Sequence, residues 1–420
     1  MTEQLPKIVI VGAGFAGIEV ARALGRANIP VTLIDRQNHH LFQPLLYQVA
    51  TAALSPADIA EPIRKVLRGH PSIEVMLAEV IGIDTTARTV ALNNGETIAY
   101  DILVIATGAT HGYFGHDEWE RFAPGLKTIE DARKIRSHLL LAFERAEMSR
   151  DPAEQKRLMT IAVIGGGPTG VELAGSIAEL ARYTLSKDFV RIRAETATVL
   201  LLEAGPRLLT AFPENLADYA VRKLTKLGVT VRTSCPVERI TDHTILAKGE
   251  EIGVGFAIWA AGVMASPLGK FLGVDLDRAG RVRVNADLSV TGTENVYVLG
   301  DLALAMDQHG KPLPGLAQVA KQEGEYLGRA LARKIQRNET PKPFVFHNRG
   351  NTAIIGRHAA VFDFGWARMK GWLAWCLWAL IHVYLLVGFQ HRLLVSIQWL
   401  WRYVTYERGS RLIAEQAEEP

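Results

Sequence analysis

KIVIVGAGFAGIEVARALGRANIPVTLID, residues 7–35, is the stretch that decides the fold. Lys7 to Val11 is an unbroken apolar run, as expected of a strand buried on both faces in a parallel sheet. GAGFAG follows, with glycine at 12, 14 and 17, and Phe15 to Arg26 then reads as a helix. Val31 to Ile34 is a second strand. Strand, glycine turn, helix, strand is a βαβ unit. In GxGxxG the glycines make the turn tight, let the backbone approach a pyrophosphate, and let the helix pack closely on the strand. The amides and positive dipole end at the helix start then hold phosphates. Asp35 lies 23 residues after Gly12, where an acid accepts from a ribose hydroxyl. The plainer alternative is a glycine turn that only packs. The strand before, the helix after and the acid at this distance favour a nucleotide.

The pattern returns 153 residues later. Thr160 to Ile164 is a strand, and GGGPTG carries glycine at 165, 167 and 170. A helix runs to about Arg182, and TVLLLE ends in Glu203. The gap of 38 residues from Gly165 is long, and Tyr183 to Glu195 reads as a helix extension or insertion. Glu203 would accept from a ribose 2′-hydroxyl and repel a 2′-phosphate, which favours NADH over NADPH; its plainer role is a solvated strand end. Glu172 falls in the first helical turn. There it either favours the helix dipole, worth about 0.3–1 kcal/mol, or contacts the nicotinamide or a proton at the redox centre. Elsewhere Val75 to Ile83, Thr89 to Leu92, Tyr100 to Ile105, Ala257 to Ala261 and Val296 to Leu299 read as strands, and Ile129 to Arg150 as a helix with Ile135, Leu139, Leu140 and Phe143 on one face.

Composition bounds the rest. The 420 residues suffice for two or three domains, 48% hydrophobic and 22% charged, so disorder is not expected. A net charge of +3 without a long basic run argues against nucleic acid. Two cysteines, Cys235 and Cys376, allow neither a disulfide framework nor a CxxC site. The twelve histidines fit no ligand pattern, so no metal is expected. MTEQLP leads straight into the first strand without the features of a signal peptide.

Two dinucleotide sites in one chain resemble the two-dinucleotide-binding flavoproteins of the glutathione reductase superfamily, which implies FAD at the first turn and NADH at the second. IATGA (Ile105 to Ala109) is similar to the point where that fold leaves its FAD domain, and WAAG (Trp259 to Gly262) to the return. TGTENVYVLGD resembles the second FAD fingerprint, in which Gly300 and Asp301 hold the ribityl-phosphate part. The resemblance spans about residues 7 to 335. It assigns FAD to Gly12, Gly14, Phe15, Ala16, Gly17, Asp35, Arg36, Gln43, Thr107, Gly108, Gly300, Asp301, Ala317 and Gln318. It assigns NADH to Gly165, Gly167, Pro168, Thr169, Gly170, Glu172, Glu203, Ala261 and Gly262. The stretch HHLFQPLLYQVATAAL lacks the cysteine pair of the disulfide reductases, so electrons leave the flavin directly.

HLFQPLLYQVA and AQVAKQ (Ala317 to Gln322) resemble type II NADH:quinone oxidoreductases. That resemblance implies a quinone-binding helix start, with Gln318 and Gln322 on one face bonding quinone carbonyls. A capped helix with solvated glutamines is the plainer reading. Catalytic roles therefore fall to Glu172, Gln318 and Gln322.

The tail is distinct. Six of eight tryptophans lie between Trp366 and Trp401, and Trp372 to Phe389 is an 18-residue apolar run broken only by His382. Six Lys/Arg against one acid lie between Gly365 and Arg411. In-plane amphipathic helices on anionic lipid, a transmembrane span, and a homodimer or core interface remain open, with tryptophan throughout the run favouring the first. The tail also resembles the membrane-binding region of the type II enzymes.

The expectation is an α/β protein with two Rossmann-like domains and a C-terminal helical membrane-attachment region. Its bounds are 1–115 and 266–340 for FAD, 116–265 for NADH, and 341–420 for attachment. The expected reaction is non-electrogenic NADH:quinone oxidoreduction by a peripheral protein on the cytosolic face of the inner (plasma) membrane. Rival readings are a soluble-type NADH:ferredoxin or dye reductase and a non-enzymatic FAD/NADH redox sensor.

Overall fold

The computed structural model describes residues 5–386, 389–405 and 408–413. In chain order its principal elements are β1 (Ile8–Val11), α1 (Phe15–Arg26), β2 (Val31–Asp35), α2 (Leu46–Ala50), β3 (Ile73–Leu77), β4 (Ile102–Ile105), α3 (Ile129–Met148), β5 (Thr160–Ile164), α4 (Pro168–Glu179), β6 (Thr198–Leu202), β7 (Val229–Arg232), β8 (Phe256–Trp259), β9 (Val296–Val298), α5 (Ala317–Arg337), β10 (Asn351–Gly356), β11 (Ala359–Asp363), β12 (Arg368–Gly371), α6 (Trp372–Leu385) and α7 (Phe389–Thr405).

The chain forms two compact units. The first comprises Met1–Leu41, Ala60–Thr110 and Val263–Arg349. Its sheet has the order β9-β4-β1-β2-β3, parallel throughout. Ile8, Ile10 and Val104 face one core and Val9, Val11 and Leu103 the other, all buried. Covering both faces is why these strands are continuously apolar. Helix α1 lies against α5, where a side chain on Gly324 would meet the backbone of Ala16 at 2.2 Å.

The second unit comprises Phe42–Ile59, His111–Gly262 and Gly350–Pro420. Its parallel sheet has the order β7-β6-β5-β8. Thr128 and Asp131 cap α3 reciprocally, and Ile135, Leu139, Leu140 and Phe143 are its buried stripe. The segment 42–59 joins this unit partly through a 2.7 Å hydrogen bond between the Thr51 and Ser176 hydroxyls.

Two sequence expectations need correction, and one open alternative is decided. Val75 to Ile83 is two strands in different sheets: β3 joins the parallel sheet, while Val80–Asp84 pairs antiparallel with Thr89–Leu92. Of the helix extension or insertion expected at Tyr183 to Glu195, the structure has the insertion, since beyond α4 no regular helix spans it. A wider turn over Leu180–Thr184 is followed by irregular chain, whose Val190, Arg191 and Ile192 amides donate to the Glu147 carboxylate. One carboxylate thus replaces the helical acceptors those amides would otherwise need. Finally, the region read as membrane attachment opens with a three-stranded antiparallel sheet, β10-β11-β12, before any helix. Its Gly350, Gly356, Gly365 and Gly371 hide the strand rhythm from a periodicity reading.

The apolar run divides into α6 and α7, with residues 387–388 outside the described part. Among the described residues no helix is long and apolar enough to cross a membrane.

Candidate functional site

In the first unit the glycine turn is set by backbone contacts that exclude side chains. Gly12 has φ +99°, and a Cβ on Gly17 would stand 1.8 Å from the Gly12 carbonyl oxygen. The space before Gly14 is open, its nearest neighbour being the Ala106 carbonyl oxygen at 4.0 Å. The Ala13 N–H donates to Asp35 Oδ2 at 2.6 Å and the Gln37 N–H to Oδ1 at 2.7 Å. Burial pushes the Asp35 carboxyl up, and these two amides oppose that shift. His40 is buried, and its Nδ1 meets the Ala13 carbonyl oxygen at 3.0 Å. The carbonyl can only accept, so Nδ1 carries the proton. Burial lowers the pKa of this imidazole and keeps it neutral.

Helix α1 begins at Gly14 without a side-chain cap, unlike α3. Its first amides, the open face at Gly14 and the Thr107 hydroxyl, buried and unpartnered among the described residues, fit a dinucleotide's phosphates and sugar.

The second FAD fingerprint is braced by a residue the sequence reading passed over. The Gly300 N–H donates to Glu323 Oε2 at 2.6 Å. Glu323 is 1% exposed, and burial, aided by the Asp301 charge, pushes its carboxyl up to about 8. Its position was legible, because Val319, Glu323 and Leu327 share one stripe of α5 at spacings of four and the flanking pair is apolar. Helix α5 starts at Ala317, also without a side-chain cap. Gln322 makes a reciprocal pair with the His347 backbone, each bond 3.0 Å, and Gln318 Oε1 accepts from the Arg349 N–H at 3.0 Å. The glutamines thus share a face, as their spacing predicts, and hold the segment 347–349. Arg36 is exposed, with Nη1 3.8 Å from Glu79.

The second unit repeats the first turn's design. A Cβ on Gly170 would fall 1.8 Å from the Gly165 carbonyl oxygen, and nothing stands within 4 Å of a Cβ on Gly167. Glu203 Oε2 accepts from the Gly166 N–H and Oε1 from the Gly205 N–H, each at 2.6 Å. Glu203 is therefore no solvated strand end: like Asp35, it fixes the loop that would hold a phosphate. Pro168 opens α4 and Thr169 is exposed beside it. Ala261 and Gly262 follow β8 half-buried. Gln43, assigned to the flavin, belongs to this unit, with its carboxamide 3.4 Å from the Lys127 carbonyl oxygen.

Glu172 accepts weakly from the Ile354 N–H of β10, at 3.3 Å. Burial pushes it up to about 8, so it carries a proton at neutral pH. It lines a cavity of about 130 Å³ within this unit. Tyr47 and Gln48 of α2 line it too, as do Trp375, Trp378 and Trp399 of the tail. The Trp399 indole donates to Gln48 Oε1 at 3.0 Å, and Gln48 Nε2 to the Tyr47 hydroxyl at 2.9 Å. Arg408, buried, donates to the carbonyl oxygens of Thr51 at 2.7 Å and Ser176 at 3.1 Å, with Glu179 3.7 Å away. Burial lowers its pKa, and Glu179 supports the charge. His382, which interrupts the apolar run, is buried, donates through Nδ1 to the Trp378 carbonyl oxygen at 2.8 Å, and is pushed down to about 4 by burial. No local pattern announces Arg408 or the cavity, because both are assembled from segments far apart in sequence. Among the described residues no cluster of His, Cys, Asp and Glu could hold a metal ion.

Two braced glycine turns in two parallel-sheet units define a two-dinucleotide oxidoreductase. The family model for pyridine nucleotide-disulphide oxidoreductases matches residues 6–324. A type II NADH:quinone oxidoreductase of Mycobacterium tuberculosis, NdhA, is 42% identical over 98% of this chain and 90% of its own length. A second from that organism, Ndh, is 39% identical with the same coverage. The structure of NDH2 from Plasmodium falciparum in complex with NADH superposes with a TM-score of 0.90, covering 98% of this chain and all of that one at 23% identity, a likeness of fold. The chain belongs to the type II NADH:quinone oxidoreductase family.

Proposed function

We propose that this chain is an FAD-dependent NADH:quinone oxidoreductase that works without moving charge across the membrane. The observation that carries this is the cavity of the second unit, where Glu172, from the helix that begins at the second glycine turn, shares a wall with three tail tryptophans. FAD supplies the relay between a hydride donor and a two-electron acceptor. Gly12, Gly14, Gly17, Asp35, Thr107, Gly300 and Asp301 would hold it. Gly165, Gly167, Gly170 and Glu203 would hold NADH. The start of α5, which has no side-chain cap, would stabilise negative charge on the reduced flavin. Gln318 and Gln322 face the quinone; Gln322 spends one amide N–H on His347 and has a second to offer. Quinone takes up two electrons and two protons. Hydride brings one proton's worth of hydrogen, and the Glu172 carboxyl, which burial pushes up to about 8, would supply the other.

Helices α6 and α7 dock the protein on the cytosolic face of the inner (plasma) membrane. Trp372, Leu380, Tyr384, Ile397, Leu400 and Trp401 are all more than half exposed, the kind of apolar and aromatic side chains that an in-plane helix buries in lipid. A second copy of the chain is the other partner such a surface suits. Deleting everything after Gly371 keeps the β10-β11-β12 sheet intact and is expected to move the protein from pelleted membranes to the supernatant. A truncated chain that still sediments with membranes would place the attachment elsewhere.

Anaerobic stopped flow tests the reaction itself. NADH is expected to bleach the flavin absorbance, and a short-chain quinone to restore it rapidly. Bleaching without recovery would discard the quinone and leave a reductase of another acceptor or a redox sensor.

A further inference from the structure

The second residue of each glycine turn is held at both ends. At the second turn the Gly166 N–H donates to Glu203 Oε2 at 2.6 Å, and the Gly166 carbonyl oxygen accepts from the Leu209 N–H at 2.8 Å. At the first turn the Ala13 N–H donates to Asp35 Oδ2 at 2.6 Å, and the Ala13 carbonyl oxygen accepts from His40 Nδ1 at 3.0 Å. The chain beyond Glu203 loops back to supply a backbone amide; the chain beyond Asp35 supplies a histidine side chain instead. The held carbonyl belongs to the Ala13–Gly14 peptide. A trans peptide is planar, with its N–H pointing opposite to its C=O. Fixing the Ala13 oxygen therefore fixes the direction of the Gly14 N–H, which bonds no protein group among the described residues. The space beside Gly14 is likewise open, as it is at Gly167.

A glycine at 14 makes that direction easy to lose. Turning the peptide over would carry Gly14 from its φ of −72° to a positive φ, which glycine adopts freely, and would aim a carbonyl oxygen where the amide had been. His40 is placed to prevent this. It is 4% exposed, meets Phe15 edge-on at 5.3 Å between ring centroids, and rides on the strand His39–Leu41 paired with Ala60–Pro62. Resting on the FAD reading of the first turn, we infer that His40 is a positioning residue: through the Ala13 carbonyl it holds the Gly14 N–H toward the FAD pyrophosphate. An amide at the start of a helix suits an anion of this kind. The Leu209 amide holds the Gly167 N–H in the same way at the second turn. Being backbone, that donor stays in place when side chains change, so the first turn is the one that substitution can probe.

The test is His40→Phe in the flavin-loaded protein, which keeps a ring against Phe15 and removes the donor. Flavin release on dilution is followed by fluorescence, and phosphorus NMR reads the bound pyrophosphate. The FAD dissociation constant is expected to rise about five- to tenfold, the range of one lost hydrogen bond, and the pyrophosphate signals to shift. NADH titrated at saturating FAD should bind as it does to wild type. His40→Asn, whose carboxamide N–H can take the place of Nδ1, is expected to recover both the affinity and the signals. Unchanged affinity and signals in His40→Phe overturn the inference. So does a loss of affinity that leaves the signals in place, the mark of packing alone, and so does a folded His40→Asn chain that recovers neither. If the phenylalanine chain does not fold, nitrogen NMR of the wild-type histidines decides. A proton on His40 Nδ1 with FAD bound supports the inference, and a proton on Nε2 alone overturns it. A wild-type protein that takes up no FAD would instead remove the parent reading.

Discussion

A Gly17→Ala chain is expected to lose its flavin and most of its soluble yield. The methyl group would stand 1.8 Å from the Gly12 carbonyl oxygen, where anything under 3.0 Å forces a shift, and the obstacle is backbone. Gly12 cannot retreat, because its own Cβ position is 2.5 Å from the Ala106 carbonyl oxygen on the adjacent strand end, and its φ of +99° suits glycine alone. Relief must therefore separate α1 from the sheet at the nucleotide turn. The cost falls among the largest single-residue effects, about 4 kcal/mol or more. Gly14→Ala separates packing from binding. Its nearest protein neighbour is 4.0 Å away, so the chain should fold normally and still bind flavin poorly, because the methyl would project into the space the turn leaves open for phosphates. Flavin absorbance per protein and the thermal midpoint decide it. Normal flavin content in Gly17→Ala would refute the account of the turn.

Glu323→Gln is expected to remove a large part of the protein's loss of stability between mildly acidic and mildly alkaline pH. The folded-state carboxyl titrates at about 8 against an ordinary 4.5. Below 4.5 both states hold the proton and the group contributes nothing to the pH slope. Between 4.5 and 8 the unfolded chain has released its proton and the folded chain has not, so stability falls as pH rises. Above about 8 the loss is complete, on the order of 5 kcal/mol from a shift of this size. The carboxamide introduced by Glu323→Gln is neutral throughout and still accepts from the Gly300 N–H. Glu172, also pushed up to about 8, adds a loss of the same sign, so the difference between wild type and variant isolates Glu323. Urea midpoints at mildly acidic, neutral and mildly alkaline pH, followed by flavin release, should diverge as pH rises. Parallel curves would mean that Glu323 ionises normally. Glu323→Ala, which leaves the Gly300 N–H unmade, should be less stable than wild type at mildly acidic pH, and that deficit should shrink as pH rises.

What the sequence determined by itself is local and covalently ordered. A glycine turn, its preceding strand and its following helix are neighbours in the chain, so both dinucleotide units could be read from residues 7–35 and 160–203, together with the acids at 35 and 203. The reason is steric: only glycine fits where Gly17 and Gly170 touch the preceding carbonyl, and that requirement shows as spelling. Tertiary structure decided whatever depends on segments distant in sequence. Asp35 and Glu203 could be singled out from spacing, but their grip on the amides of the turns emerges only once β2 and β6 lie beside those turns. The β10-β11-β12 sheet escaped a reading based on alternation because glycines interrupt it. The cavity draws on α2, α4, β10, α6, α7 and Arg408, with 361 positions separating Tyr47 from Arg408. Burial moves Glu172, in the cavity wall, and His382, stacked on Trp378, in opposite directions for one reason, that removing water disfavours whichever form is charged.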